Sequence, residues 1–194
     1  MYHTQIAIFA ILLYLASGAM IALRLFKPDK LPRPSRALAV GLGFAGVLLH
    51  TVILYQSIFD QPGINLAFFN ALALTSWTIV LLLLLSSLTK PVENLGILLL
   101  PLAAVTLYLE SQYPSTGFLR QQACWSLKIH VLVSMLAYSL LTLASVQAVL
   151  VAIQDHHLRH RHPGGFIRTL PPLQTMESLL FEMIGVGFAL LTLA

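Results

Sequence analysis

The chain has 194 residues, of which 58% are hydrophobic and only 9% are charged. Soluble domains are about half apolar and about one-quarter charged, so the composition excludes an ordinary soluble domain and indicates an integral membrane protein. The formal net charge of +4 does not indicate a nucleic-acid partner, because the basic residues lie in short segments beside apolar runs, where they set membrane topology.

Apolar runs of membrane-spanning length follow one another along the chain. About 20 apolar residues are needed to cross a hydrocarbon core of about 30 Å. Six runs meet this requirement, over residues 6–23, 37–59, 66–88, 92–109, 129–153 and 174–194. The first lacks a basic leader and a small-residue cleavage site, which favours a retained helix over a signal peptide. We therefore predict an all-α, polytopic membrane helix bundle with six transmembrane helices in one domain, 1–194.

Lysine and arginine predict the orientation of this bundle. Nine of the 11 lie in the linker after the first run, the turn after the third and the segment after the fifth. Only Arg120 and Lys128 lie on the other side. Because cytoplasmic loops carry the excess of basic residues, we expect the N-terminus outside. The sixth run stops at Ala194 without a polar exit, so we also expect a C-terminally truncated chain.

One face of the fifth run combines an ionisable side chain with small ones. His130, Ser134 and Ala137 recur at helical spacing, and small residues continue this face further along the run. An ionisable group within a span costs several kcal/mol unless it faces the bundle interior and finds a partner. We expect this face to look into protein, with His130 near the outer end. A boundary histidine bonded to backbone or water is the alternative.

A second histidine, His50, lies well inside the second run, with Gly43 and Gly46 on its face. The glycines leave room either for a flat group or for a close helix crossing, and the crossing is the more common use. His50 itself is either a cofactor or proton site or a satisfied interhelical hydrogen bond. Trp77 and Asn70 in the third run share a face that lines the same pocket or packs the core.

Other ionisable groups allow further hypotheses. Glu182 lies near the middle of the sixth run and is either a proton relay or a protonated acid bonded to a nearby helix. A histidine cluster after the fifth run has spacings that suit a metal, but the neighbouring arginines favour a solvated basic segment. Its members are Asp155, His156, His157, His160 and His162. The single cysteine, Cys124, cannot form an internal disulfide.

Two stretches resemble a known family. The first has Trp125, Lys128 to Val131, Ser134 and Ala137 to Ser139, and the second has Leu170 to Gln174 and Gly185 to Phe188. They resemble consecutive helices of the cytochrome c assembly membrane proteins of the Ccs type, which handle haem, in their short inner-membrane branch. The resemblance covers most of the chain and weakens before Leu95.

The resemblance implies a cofactor, partners and a location. His130 is the expected axial ligand of a non-covalent, b-type haem, and His50 is the next candidate. Trp125 and Trp77 are expected to line the cofactor. Arg120 and Lys128 are placed to meet its propionates, although interfacial snorkelling also explains Lys128. The implied location is the bacterial inner membrane, with other cytochrome c assembly proteins and apocytochrome as partners.

Two departures from the family pattern argue against synthase activity in this chain. It lacks a tryptophan-rich segment between any two runs, and the family's last helices would lie beyond Ala194. An accessory role in haem attachment is therefore expected before a catalytic one. Two alternatives remain: a proton-coupled small-molecule carrier that uses His50 and Glu182, and a structural subunit of a membrane complex.

Overall fold

The computed structural model describes residues 2–26, 34–59, 64–113, 118–119, 125–160 and 170–194. Within these residues, six α-helices are each long and apolar enough to cross a membrane, the fourth together with a short 3₁₀ helix, Glu93–Leu95. They are α1 (Tyr2–Phe26), α2 (Arg36–Phe59), α3 (Phe68–Thr89), α4 (Gly96–Gln112), α5 (Trp125–Arg159) and α6 (Leu173–Leu193). The predicted six-helix, all-α membrane fold is confirmed.

The fifth helix is longer than its apolar run. It has 35 residues and extends past both ends of the predicted span, 129–153. The added turns carry polar residues such as Lys128 at one end and Gln154 and Asp155 at the other. Hydropathy marks where the hydrocarbon region begins and ends, whereas a helix continues into water wherever its backbone hydrogen bonds continue.

A short antiparallel pair of strands joins two of the connections between helices. β1 (Ile64–Asn65) pairs with β2 (Phe118–Leu119), and Ile64 is opposite Leu119. The pair lies between the chain after α2 and the chain after α4. It therefore ties these two connections together at one end of the molecule.

Helices α1 to α4 form a four-helix bundle. α1 packs against α2 and α4, and α3 packs against the same two helices. α1 begins and α2 ends at the same end, where His3 lies 3.1 Å from Ser57. We call this the N-terminal end of the bundle. Fully buried alanines, including Ala10, Ala73 and Ala103, allow the helices to approach closely around the bundle axis.

Helices α5 and α6 form an antiparallel hairpin beside this bundle. Gln147 Nε2 donates to the carbonyl of Met176 (3.1 Å), and Gln154 Nε2 donates to that of Pro171 (2.9 Å). The hairpin docks on α3 and α4 through a cluster of apolar side chains. The cluster contains Ile79, Leu83, Val92, Leu95, Leu99, Leu143 and Leu179. Other faces of the hairpin stay exposed.

Candidate functional site

His130 lies near the start of α5, and its side chain is exposed. The ring Nδ1 is hydrogen-bonded to the backbone oxygen of Ala194, at the end of α6. A backbone oxygen can only accept, so Nδ1 donates in this bond, and in the neutral ring Nε2 keeps its lone pair. No bond from Nε2 to another described residue is found. This arrangement is compatible with a metal-ligating histidine, although His157 and His160 also bond to backbone oxygens through Nδ1.

The small-residue face of α5 turns inward only below His130. Ala137 and Ala144 are buried, with 0% and 3% of their surfaces exposed. The expectation of an inward-facing surface therefore holds for the middle of α5, but the histidine ring itself lies on the surface of the described residues. The reason is the docking geometry: the hairpin meets the bundle through Leu143, about 20 Å of helix further along.

His50 is fully buried in the four-helix bundle. Its Nδ1 lies 3.1 Å from the hydroxyl of Tyr14 on α1, and the two rings meet edge to face. Its Nε2 is buried and has no hydrogen-bond partner within the described part of the chain. A buried imidazole nitrogen without a hydrogen-bond partner lowers the stability of the folded protein. His50 therefore remains a candidate cofactor or proton site.

The glycines beside His50 serve helix packing. A Cβ at Gly46 would lie 2.7 Å from the Tyr14 ring, and one at Gly43 would lie 3.0 Å from Leu84. The space over both glycines is therefore already filled, by Tyr14 of α1 and Leu84 of α3. Of the two uses considered for these glycines, the structure has the close helix crossing, and a macrocycle does not fit against them.

The structure does not bring His50 and His130 together. Trp77 Nε1 donates to Thr51 Oγ1 (2.9 Å), which places residue 77 of α3 level with His50. His130 lies near the exposed start of α5, about 20 Å of helix from Leu143, where α5 docks on α3. α3 packs against both α2 and α5 and lies between them. The two imidazoles therefore do not face one iron.

Trp77 and Asn70 connect α3 to its neighbours, and neither forms a hydrogen bond with His50 in the described part of the chain. Trp77 Nε1 also lies 3.3 Å from the carbonyl of Val47. Asn70 Nδ2 donates to the carbonyls of Asn65 and Ser57 at 3.3 and 3.4 Å. Both side chains donate hydrogen bonds to backbone or hydroxyl oxygens outside α3. For Trp77, this corresponds to the core-packing alternative.

The remaining residues predicted near the cofactor lie around the start of α5. Lys128 is partly exposed, two residues before His130. Trp125 is the first residue of α5, but its side chain and the whole of Arg120 lie outside the described residues. Exposed apolar side chains surround His130 on the two helices of the hairpin. They include Leu127, Ile129, Leu132 and Leu193, which are between 42% and 79% exposed.

Glu182 lies on an exposed face of α6 and forms an ion pair with Lys90, at the end of α3. Its side chain is 56% exposed. The carboxylate is therefore paired, at the surface of the helix bundle, and it does not meet His50 in the interior. The structure gives no common site for the two residues of the carrier hypothesis.

The histidines at the end of α5 do not form a metal site with the other residues described. The rings of His156 and His160 lie 4.2 Å apart, while Asp155 pairs with Arg159. No group of three or more potential metal ligands occurs in the described part of the chain. His162 lies outside it.

A cluster that the sequence analysis missed lies at the N-terminal end of the bundle. His3, Ser57 and Glu110 come together there from α1, α2 and α4. Glu110 lies just after the predicted fourth run, 92–109, but it belongs to the last turn of α4 and is buried, with 4% of its surface exposed. Since the three residues lie more than 50 positions apart, sequence spacing gives no signal of their contact.

A cavity of about 130 Å³ opens at the opposite end of the molecule, beside Arg24 and Glu93. It is smaller than the ~300 Å³ at which pockets for drug-sized ligands begin. A macrocycle does not fit there, so the exposed surface around His130 is the better candidate for a large cofactor.

Comparison with known proteins gives a family and named relatives. The family model described as "Cytochrome C assembly protein" matches residues 38–194. The chain is 26% identical over 194 residues to "Inner membrane protein YpjD" of Escherichia coli strain K12, covering 96% of this chain and 71% of that protein. It is 30% identical over 115 residues to the "Uncharacterized 28.8 kDa protein in nifR3-like 5'region" of Azospirillum brasilense, covering 58% of this chain and 42% of that protein. No solved structure matches the chain.

Proposed function

Because the chain belongs to the cytochrome c assembly protein family, we propose that it binds a non-covalent, b-type haem at His130 and handles it for cytochrome c assembly. The observation that carries this proposal is the state of the His130 ring. Its Nδ1 is held by the backbone oxygen of Ala194, and its Nε2 is open and exposed. A fixed tautomer with a free Nε2 is what an axial iron ligand needs.

The surroundings of His130 suit a large, flat and mostly apolar cofactor. Leu127, Ile129 and Leu132 expose apolar surface on α5, and Leu193 exposes more on α6. Lys128 supplies a cation two residues away, of the kind that meets a propionate through a charge-assisted hydrogen bond. Bound haem would supply the iron and the groups that apocytochrome thiols attack.

The described residues offer one axial ligand at this place. His50 is fully buried and enclosed by α1 to α3, whereas His130 is exposed, so His50 does not complete the coordination at His130. A haem held by one histidine at an exposed surface is easily passed on. We therefore assign the chain to haem presentation or transfer, with apocytochrome or other cytochrome c assembly proteins as receivers.

The proposal also covers the location of the chain and its role in haem attachment. The name of the Escherichia coli relative supports an inner membrane location, in agreement with six spans. The single cysteine leaves the chain without a dithiol of its own, so the thiols that attack haem would belong to the apocytochrome. An accessory role fits these features better than haem attachment by this chain alone.

The test is haem titration of the purified chain in detergent, followed by absorption spectroscopy. The wild type is expected to give a Soret band with split bands on reduction. His130→Ala should weaken haem binding by about tenfold or more, since it removes the iron ligand. Because His130 is exposed, the variant should fold normally, and unfolding measurements check this.

His157→Ala is the matched control, since His157 is partly exposed at the other end of the same helix. It should bind haem as the wild type does. Equal haem affinity in the wild type and His130→Ala would reject the proposal. A colourless wild-type protein that moves protons with a small solute would instead favour the carrier.

A further inference from the structure

We propose that His3, Ser57 and Glu110 form a proton relay that loads Glu110, a proton-binding site at the N-terminal end of the bundle. The proposal concerns helices α1, α2 and α4 and involves no iron ligand. Its test is therefore independent of haem binding at His130.

The three side chains form a directed chain of hydrogen bonds. The hydroxyl of Ser57 donates to Glu110 Oε1. Its oxygen can then accept from His3 Nε2, which lies 3.1 Å away. His3 Nε2 also lies 3.9 Å from Glu110 Oε1, so a protonated His3 and an ionised Glu110 attract each other. The hydroxyl in the middle is the link through which a proton can pass.

The two ends of the chain differ in their access to water. The side chain of His3 is 34% exposed, whereas that of Glu110 is only 3% exposed. Protons therefore enter at His3 and are stored at Glu110. Ionisable side chains inside membrane helices commonly serve such relays, because an unused buried charge is costly.

Glu110 also has an unused oxygen. Its Oε2 is buried and has no hydrogen-bond partner in the described part of the chain. A buried polar atom without a partner is costly, so its presence calls for an explanation. This observation is independent of the His3 and Ser57 contacts, and it supports Glu110 as the end point of the relay.

The transfer balances in protons and charge. In the starting state His3 carries both ring protons and Glu110 is ionised. The His3 Nε2–H bond breaks as a new Ser57 Oγ–H bond forms. The original Ser57 Oγ–H bond breaks as Glu110 Oε1–H forms. The products are a neutral His3, an unchanged serine hydroxyl and a neutral Glu110.

Few other ionisable groups face this site. α3 contributes the amide of Asn70, which bonds to the backbone of Ser57 and does not titrate. Lys128 and His130, near the same end, belong to the α5 and α6 hairpin. Exposed tyrosines complete the titratable set that the structure describes around this end. They are Tyr55, Tyr108 and Tyr113.

The arrangement is not that of a hydrolase triad. A nucleophilic serine needs a histidine between itself and the acid, so that the imidazole takes the hydroxyl proton. Here the hydroxyl lies between the imidazole and the acid and donates directly to Glu110. The order of the three groups therefore favours proton passage over nucleophilic attack.

Infrared spectroscopy of the full chain in detergent tests the relay. A protonated, buried Glu110 should give a carboxylic acid C=O band in the infrared spectrum. Glu110→Gln should remove this band. After transfer into D₂O, the rate at which the band shifts reports proton exchange at Glu110.

Ser57→Ala should slow this exchange by about 100-fold, since a positioned proton-transfer group contributes at least that much. Ser57→Thr should restore it. His3→Gln, at a partly exposed position, should slow exchange as well. Ser111→Ala is the control, because this neighbouring hydroxyl donates to the helix carbonyl of Tyr108, its one hydrogen bond to a described residue.

Three results would overturn the relay. One is the absence of any acid band that Glu110→Gln removes. Another is exchange at the wild-type rate in His3→Gln, which tests the relay even if Ser57→Ala does not fold. Equal slowing by Ser111→Ala and Ser57→Ala would also overturn it, because the effect would not depend on the chain of hydrogen bonds.

Discussion

Gly46 of α2 leaves the space that the Tyr14 ring of α1 fills. The ring occupies the place where a side chain at Gly46 would lie, at 2.7 Å from an added Cβ. The same ring is held by its hydroxyl contact to His50 Nδ1. One glycine therefore permits both the packing of Tyr14 between two helices and its contact with a buried imidazole.

Gly46→Ala should destabilise the protein by about 1–3 kcal/mol, because Tyr14 must move and its bond to His50 weakens. Gly41→Ala, five residues earlier on α2, is the matched control, since its added Cβ meets nothing within 4 Å. That variant should stay within about 1 kcal/mol of the wild type or gain stability from helix propensity. Unfolding in detergent measures both, and equal loss in the two variants would contradict the packing described here.

How far the sequence predicts such residues depends on the range of their contacts. His130 and His50 were predicted as candidates because an ionisable side chain stands out in an apolar run. The hydrogen-bond partners of buried side chains were not predictable from the sequence. Tyr14 lies 36 positions from His50, and Ser57 lies 53 positions from Glu110. No local pattern records which helix faces meet.

At the scale of elements, the molecule consists of the four-helix bundle and the docked hairpin. Hydropathy predicted the six helices because the bilayer requires long apolar segments. It did not predict the extra turns of α5, since water-exposed helix carries no hydropathy signal. It also did not predict that α5 pairs with α6, since hydropathy does not record which helices pack together. These two features explain why the His130 ring lies beside Ala194 on the surface and not in the bundle interior.

Leu143 is the side chain through which the hairpin docks, with 2% of its surface exposed. Leu143→Ala should lower the free energy of unfolding by about 2–5 kcal/mol, because it leaves a cavity between α5, α3 and α6. Val149→Ala, on an exposed part of the same helix, should change it by no more than about 0.5 kcal/mol. If both variants lose the same free energy of unfolding, the hairpin does not dock through this cluster.

For the whole molecule, the distribution of lysine and arginine predicts that the N-terminus lies outside. This orientation places the His130 end of the hairpin and the proposed proton entry at His3 on the non-cytoplasmic side. Haem presented there would meet apocytochrome on that side of the membrane.

Thiol labelling of spheroplasts tests this orientation. A membrane-impermeant maleimide should label Cys124 from outside, as expected for the segment before α5. In a Cys124→Ser background, Ser35→Cys at the exposed start of α2 should react only after the membrane is opened. Reaction of position 35 in intact spheroplasts, with Cys124 protected, would reverse the orientation.

The most direct measurement of haem ligation is the magnetic coupling between the iron and histidine nitrogen in protein labelled with ¹⁵N-histidine. With haem bound, the wild type and His50→Ala should both show a coupling from an axial imidazole, and His130→Ala should lose it. Persistence of that coupling in His130→Ala would contradict the assignment of His130 as the haem ligand.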